Sequence, residues 1–273
     1  MGWERRGHLL MSPALSRHGV IAGSTTRALG SMGGAATPPR EADRARAALA
    51  ARLGFDGVVR ARQVHGDTVL RADGPFASPW PEADGLWTDR PGVLLGVVAA
   101  DCVPVLIADG VGRIGAAHAG WEGTTRRIAE RLVQAMADDG ADPRAMTAAL
   151  GPSIGPCCYA VGPARVATIR GRLGADADRA LRPLGTTRGS AGAEPPPTLV
   201  FDLWTANADQ LRAVGVGAVE VAGACTKCGD ANAFSRRGGD IGLLGLAFIG
   251  AYEGGKPPSE RMKGASPPSD PPR

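Results

Sequence analysis

The sequence predicts a single α/β (α+β) domain in which mixed β-sheets pack against helices. Three observations lead there. The centre of the chain holds three short apolar runs, 93–99 (VLLGVVA), 103–108 (VPVLIA) and 114–117 (IGAA), each of strand length and apolar enough to be covered on both faces. Several other segments carry helical periodicity instead. The chain has 273 residues, 44% hydrophobic and 21% charged, ordinary values for a globular protein able to bury a large core.

Taken in order, residues 1–20 read as an irregular N-terminal extension, and 30–40 (GSMGGAATPPR) as a flexible loop. Gly33-Gly34 could cradle a phosphate, but no Walker lysine follows. Residues 41–53 predict a helix that acidic residues open, Ala48, Leu49 and Leu53 stripe and Gly54 closes. Residues 58–64 (VVRARQV) alternate like a strand and deliver His65-Gly66 to its end. Residues 73–92 read as a Pro/Gly/Asp-rich loop containing Ala83-Asp84-Gly85. After His118 a helix is expected, capped by Thr124 or Thr125, with Ile128, Leu132 and Met136 on one face, ending at Gly140 and Pro143.

Residues 147–150 predict a short strand and 163–173 a helix with Val166, Ile169 and Leu173 inward. Residues 174–197, with a Pro triplet, read as an exposed excursion. Asp202 caps a helix through Leu211, closed by Gly215. Strands are expected at 216–222 and around 243–250. The tail 254–273 has the composition of a disordered segment. With no repeat and no clean linker, residues 21–253 are expected to form one catalytic domain.

The formal net charge is +4, but the basic residues are scattered, so nucleic acid is not an expected partner. No window approaches the 18 or so apolar residues of a membrane span, and the N-terminus lacks a secretory signal pattern. Five cysteines, an odd count, argue against a disulfide framework. A cytoplasmic protein, a monomer or small homo-oligomer acting on a small molecule, is the expectation.

Only four histidines occur. His8 and His18 lie in the irregular N-terminal stretch, whereas His65 and His118 each sit at a predicted strand end beside small residues. Cys102 sits at the break between two apolar runs. Imidazole and thiolate suit Zn2+, and a catalytic zinc commonly takes three protein ligands and keeps a fourth position for water, whose pKa it lowers. Three strand ends of one sheet could supply such a set, with Asp84 or Asp101 orienting a ligand or shuttling a proton. Spacing alone leaves the alternatives open: a buried Cys is a small hydrophobe and a strand-end His a hydrogen-bonded loop residue. Cys225-x-x-Cys228 invites a zinc-knuckle reading, but a second ligand pair is missing nearby, so Cys228 reads as incidental. Cys157-Cys158 reads as packing.

Six motifs occur in order: QVHG at 63–66, ADG at 83–85, ADCVPVLIAD at 100–109, HAGWEG at 118–123, GPSIGPCCYAVG at 151–162, and a Cys225 segment ending FSRRGG at 234–239. From about Ser24 to Gly250 the sequence resembles the laccase-domain, or multicopper polyphenol oxidoreductase, family. That family includes bacterial enzymes described as purine nucleoside phosphorylases with adenosine deaminase activity, and a peptidoglycan-editing factor. The resemblance implies that His65, Cys102 and His118 hold Zn2+, with Cu2+ as the alternative. It implies adenosine, inosine, guanosine or methylthioadenosine as substrates, with phosphate as co-substrate. For substrate binding, backbone N–H groups around Gly123-Thr124-Thr125 are candidates for phosphate, as is Arg27 in STTR; Asp84 and Asp101 complete the candidate set.

The sequence departs from the family pattern at Glu122, where HAGWRG is usual, at Ala160, where CYEVG is usual, and at Leu243, where an Arg is expected. Three rivals accompany the nucleoside enzyme. They are a copper-dependent polyphenol oxidase, a cysteine hydrolase acting on cell-wall peptides with Cys102 as nucleophile and His118 as base, and a non-catalytic member that keeps the metal.

Overall fold

A computed structural model describes residues 2–184 and 199–253. The expected disordered tail at 254–273 and the Pro triplet at 195–197 lie outside these residues. The order of elements begins β1 (Glu4–Arg6), β2 (Leu9–Met11), α1 (Pro13–Ser16), β3 (Val20–Thr25), α2 (Pro39–Leu53), β4 (Val58–Val59), β5 (Val69–Arg71) and β6 (Gly85–Thr88). It continues β7 (Leu94–Ala99), β8 (Val103–Ala108), β9 (Ile114–Ala119), α3 (Trp121–Thr125), α4 (Ile128–Asp138), β10 (Thr147–Leu150), β11 (Ala160–Val161), α5 (Pro163–Leu173) and α6 (Asp176–Ala180). It ends β12 (Leu181–Pro183), β13 (Leu199–Phe201), α7 (Leu203–Ala213), β14 (Ala218–Val221) and β15 (Gly245–Ala251).

Two six-stranded sheets form the centre, ordered β1-β2-β3-β15-β7-β4 and β14-β10-β8-β9-β6-β5, with a small third sheet β11-β13-β12. Most pairs are antiparallel, while β4–β7, β5–β6 and β10–β14 are parallel.

The continuous apolar runs have a direct cause. Alternate residues of one strand enter different cores. In β8, Leu106 and Ala108 face the first sheet, among Leu95, Val97, Ala247 and Ile249. Val103, Val105 and Ile107 face the other way, onto Ile128, Leu132 and Met136 of α4 and Leu211 of α7. On the far side of the first sheet, Leu94, Val98, Leu246 and Phe248 pack on Leu49, Ala50 and Leu53 of α2. The order of layers is therefore helix, sheet, sheet, helices, and both faces of each central strand are buried.

Several expectations are corrected. Residues 1–20 are not irregular: β1 and β2 form a hairpin whose second strand extends the first sheet beside β3, and Leu9, Leu10 and Met11 are buried. Three-residue strands are too short to show periodicity. His18 is also placed, its Nε2 lying 2.7 Å from Thr147 Oγ1. The strand expected over 58–64 stops at Val59, because the Gln63 side-chain amide bonds both main-chain groups of Val98, at 2.8 Å each, in place of a continued ladder. The loop expected over 73–92 contains β6, paired with β9 in the second sheet. The excursion over 174–197 contains α6 and β12, with Ala177 and Ala180 buried. Helix α4 begins at Ile128 after Arg127 at φ 63°, so neither Thr124 nor Thr125 caps it.

Candidate metal centre

His65, Cys102 and His118 meet. One donor atom from each lies within 4.8 Å of the others. They come from the turn after β4, from the break between β7 and β8, and from the penultimate residue of β9. The His65 and His118 rings stand edge to face, 4.9 Å apart at 78°.

Asp84 builds this geometry. Its Oδ2 accepts the N–H groups of Val64 (3.0 Å) and Gly66 (2.7 Å), and its Oδ1 that of His65 (3.1 Å). Three successive amides thus wrap one carboxylate. They hold His65 at φ 60°, a conformation that costs a non-glycine residue about 1–2 kcal/mol. Asp84 Oδ1 also takes His118 Nδ1–H at 2.8 Å, and the Asp84 carbonyl accepts His118 N–H at 2.7 Å. With Nδ1 committed, Nε2 of His118 is the nitrogen left for a ligand bond, the arrangement common to metal-binding histidines. Asp84 is therefore a positioning residue rather than part of a substrate surface.

The electrostatics match the donor set. Burial pushes the Cys102 thiol up, but the His118 charge and hydrogen bonds from His118 and His65 outweigh it and bring the thiol down to about 6. Burial lowers His118, whereas the Cys102 thiolate and Asp84 raise it to about 10. The hydrogen bond to Cys102 raises His65 above its ordinary value. Without metal the site holds a thiolate beside the His118 imidazolium, so a divalent cation would find its sulfur ligand already ionised and would displace the His118 Nε2 proton. Two imidazoles and one ready-ionised thiolate fit zinc, and they fit copper by raw affinity.

Gly120 guards the thiolate. A Cβ there would stand 2.8 Å from Cys102 Sγ and 3.3 Å from His65 Cδ2, while its φ of −71° suits any residue. Gly120→Ala is expected to keep the fold, seen as an unchanged thermal midpoint of the metal-free protein. Metal affinity should fall roughly 10-fold or more, measured by competition with a chromophoric chelator.

The three side chains line one cavity of about 740 Å³, together with Gly34, Arg60, Gln63, Trp80, Arg236, Asp240, Leu243 and Leu244. That volume suits a nucleoside-sized ligand. Arg60 is the residue sequence reading missed. Its guanidinium lies over the Trp80 ring, 5.4 Å from the centroid. Its Nε is buried without a hydrogen-bond partner among the described residues. Burial first, and Arg46 second, lower its pKa to about 10, so it is still a cation at neutral pH. Nothing in the alternating segment VVRARQV distinguishes Arg60 from Arg62, whose partner is Glu82 at 2.7 Å.

Three other candidates go elsewhere. Arg27 donates through Nε to the Ala233 carbonyl and through both terminal nitrogens to Asp240. It does not line the cavity; it fixes Asp240, which does. Burial pushes Asp240 up, but Ser235 N–H and Arg27 hold it below the ordinary carboxylate range. Thr124 is fully buried. Its Oγ1 accepts from Asn207 and its carbonyl from Gln210, which ties α3 to α7. The segment expected to present a helix N-terminus at 123–125 is in fact the end of α3. Asp101 accepts from Thr226 Oγ1 (2.7 Å) and Arg237 N–H (2.9 Å), pinning the 226–238 segment beside Cys102. Of the three departures from the family pattern, Leu243 alone lines the cavity; Glu122 faces Arg126 at 3.6 Å, and Ala160 pairs with Val200 in the third sheet.

The fold and this cluster define a mixed α/β protein with a His2Cys cluster lining one cavity. The family model described as multi-copper polyphenol oxidoreductase laccase matches residues 17–249, and the chain belongs to that family. It is 41% identical over 216 residues to a purine nucleoside phosphorylase of Deinococcus radiodurans, covering 78% of each chain. It is 39% identical over 205 residues to purine nucleoside phosphorylase YlmD of Geobacillus stearothermophilus, covering 70% of this chain and 71% of that one. The crystal structure of YlmD superposes with a TM-score of 0.75 at 32% identity, over 92% of this chain and 99% of that one. A Bacillus licheniformis protein, YfiH, gives 0.74 at 30% identity, over 90% and 97%.

Proposed function

We propose that this protein is a metal-dependent purine nucleoside phosphorylase that also deaminates adenosine at the same centre. The carrying observation is that His65, Cys102 and His118 share one nucleoside-sized cavity with Arg60, whose Nε has no hydrogen-bond partner among the described residues. The names of the relatives support the phosphorylase part of that reading.

A metal held by the three ligands would supply Lewis-acid activation at the cavity floor. The chain supplies the rest. Arg60, with Arg236 beside the same cavity, provides positive charge for phosphate; a buried cation with an unsatisfied N–H gains most from an anion. Asp240, kept ionised by Arg27, can accept a ribose hydroxyl. Trp80, Leu243 and Leu244 offer an apolar wall for the base. In phosphorolysis a phosphate oxygen bonds to C1′ as the C1′–N9 bond breaks, and the electron pair leaves with the purine, which takes a proton.

The test is turnover of adenosine and inosine by zinc-loaded protein with and without phosphate. Phosphate-dependent release of adenine and hypoxanthine is expected, and Arg60→Gln should raise the KM for phosphate about 10-fold while leaving that for nucleoside within about 2-fold. Absence of purine release from every nucleoside tried would overturn the reading.

A further inference from the structure

The second group of metal-binding side chains among the described residues is the four remaining cysteines. Cys157, Cys158, Cys225 and Cys228 each bring a sulfur within 4.8 Å of the others. The sequence separates Cys157-Cys158 from Cys225-x-x-Cys228 by more than sixty residues, which is why no second ligand pair is visible locally. The fold supplies it: Ser153 bridges Cys225 in parallel pairing, and Thr226 N–H donates to the Ser153 carbonyl at 3.0 Å. The sequence readings of Cys228 as incidental and Cys157-Cys158 as packing lack the second pair that this contact supplies. We propose that the four cysteines form a structural zinc site, separate from the His65–Cys102–His118 centre.

The donor set is four sulfurs, the combination that structural zinc takes in closed tetrahedral sites. With Zn–S bonds of about 2.3 Å, tetrahedral sulfurs stand roughly 3.8 Å apart. A cluster in which no pair exceeds 4.8 Å and Cys157 and Cys228 are 3.3 Å apart needs only small shifts to reach that geometry.

The main chain is shaped for a thiolate. The Gly155 N–H points at Cys225 Sγ at 3.3 Å, and the N–H groups of Cys228 and Lys227 add to it. Amides of the second and third residues after the first cysteine of a CxxC, turned back on its sulfur, are what a knuckle around a cation requires. Gly229 closes that turn. A Cβ there would come 2.6 Å from the Cys225 carbonyl oxygen and 2.9 Å from its nitrogen, so the loop can tighten only with glycine. On binding, four thiols release four protons to solvent and the ion takes four thiolates.

A redox pair is the competing use of such cysteines. A disulfide needs its sulfurs about 2.05 Å apart, joins two of the four, and leaves Cys158 and Cys225 unexplained. The zinc reading uses all four.

The site has a structural consequence. It would staple loop 155–158 to loop 225–229. Asp101 is held by Ile154, directly before the first loop, whose N–H donates to its carbonyl at 2.9 Å, and by Thr226 of the second, whose Oγ1 donates to its carboxylate. The staple thus backs the wall beside Cys102.

The experiment counts metal. Protein purified under reducing conditions should carry two zinc ions per chain by elemental analysis, and Cys102→Ser should keep one. That variant leaves the four-cysteine cluster intact, so its cobalt-substituted form should show the intense absorption of a tetrathiolate centre. Cys225→Ser/Cys228→Ser should lose that absorption and one zinc, with circular dichroism reporting whether it folds. A single zinc per chain that disappears entirely in Cys102→Ser would overturn the proposal. So would a Cys157–Cys228 disulfide in metal-free peptides of the native protein, or cobalt spectra of Cys102→Ser without sulfur charge-transfer bands.

Discussion

Cys102→Ser is expected to abolish purine release, lowering kcat/KM by about 1000-fold or more, equivalent to about 4 kcal/mol of transition-state stabilisation. The substitution is nearly isosteric, so the fold should survive. What it removes is charge. The Cys102 thiol is held at about 6 by His118 and His65, whereas a serine hydroxyl in the same place is neutral at pH 7. The His118 imidazole also loses the anion that, together with Asp84, raises it. Elemental analysis of the centre and steady-state kinetics should fall together. Full activity with full metal content would show that His65 and His118 suffice. Chelation of the wild-type protein addresses the cysteine-hydrolase rival, because a nucleophile mechanism would leave activity intact without metal, while a metal-dependent one would not.

The second large effect is expected from Asp84→Asn. The carboxylate accepts four hydrogen bonds, from Val64, His65, Gly66 and His118. An amide presents only one oxygen, so its NH2 group must face either the Val64 and Gly66 amides or the His65 amide and His118 Nδ1–H. Two donors then point at a donor in a buried site. The expected loss is about 2 kcal/mol of stability, or roughly 5 °C in Tm. A further 10–100-fold loss is expected in metal affinity, because the His118 ring is released and the His65 turn relaxes. Differential scanning calorimetry of the metal-free protein separates the first effect from the second. An unchanged Tm and chelator off-rate would remove Asp84 from the account of the site.

Much of this protein is determined locally. The apolar runs over β7, β8 and β9, and the helices with Val166, Ile169 and Leu173 inward or Ile128, Leu132 and Met136 on one face, follow from residue periodicity because their burial is set by the strand and helix repeats themselves. The break at Ala100–Cys102 and the end of β9 are likewise visible, since a polar residue interrupts an apolar run there. The pairing of His65 with those two ends was a matter of ordered motifs, not of spacing.

Tertiary structure decided the rest, for a common reason. Strands β1, β2 and β6 have three or four residues each, too few for a period, and exist because a neighbour offers a free edge. Arg27 and Thr124 carry the right chemistry for an anion, but Asp240 and Asn207, distant in sequence, claim them first. Arg60 differs from Arg62 only in which of the two meets a carboxylate. The four cysteines become a cluster only when the loops before α5 and after β14 are laid side by side. A side chain's type states what it can bind; which partner it meets depends on contacts between segments far apart along the chain.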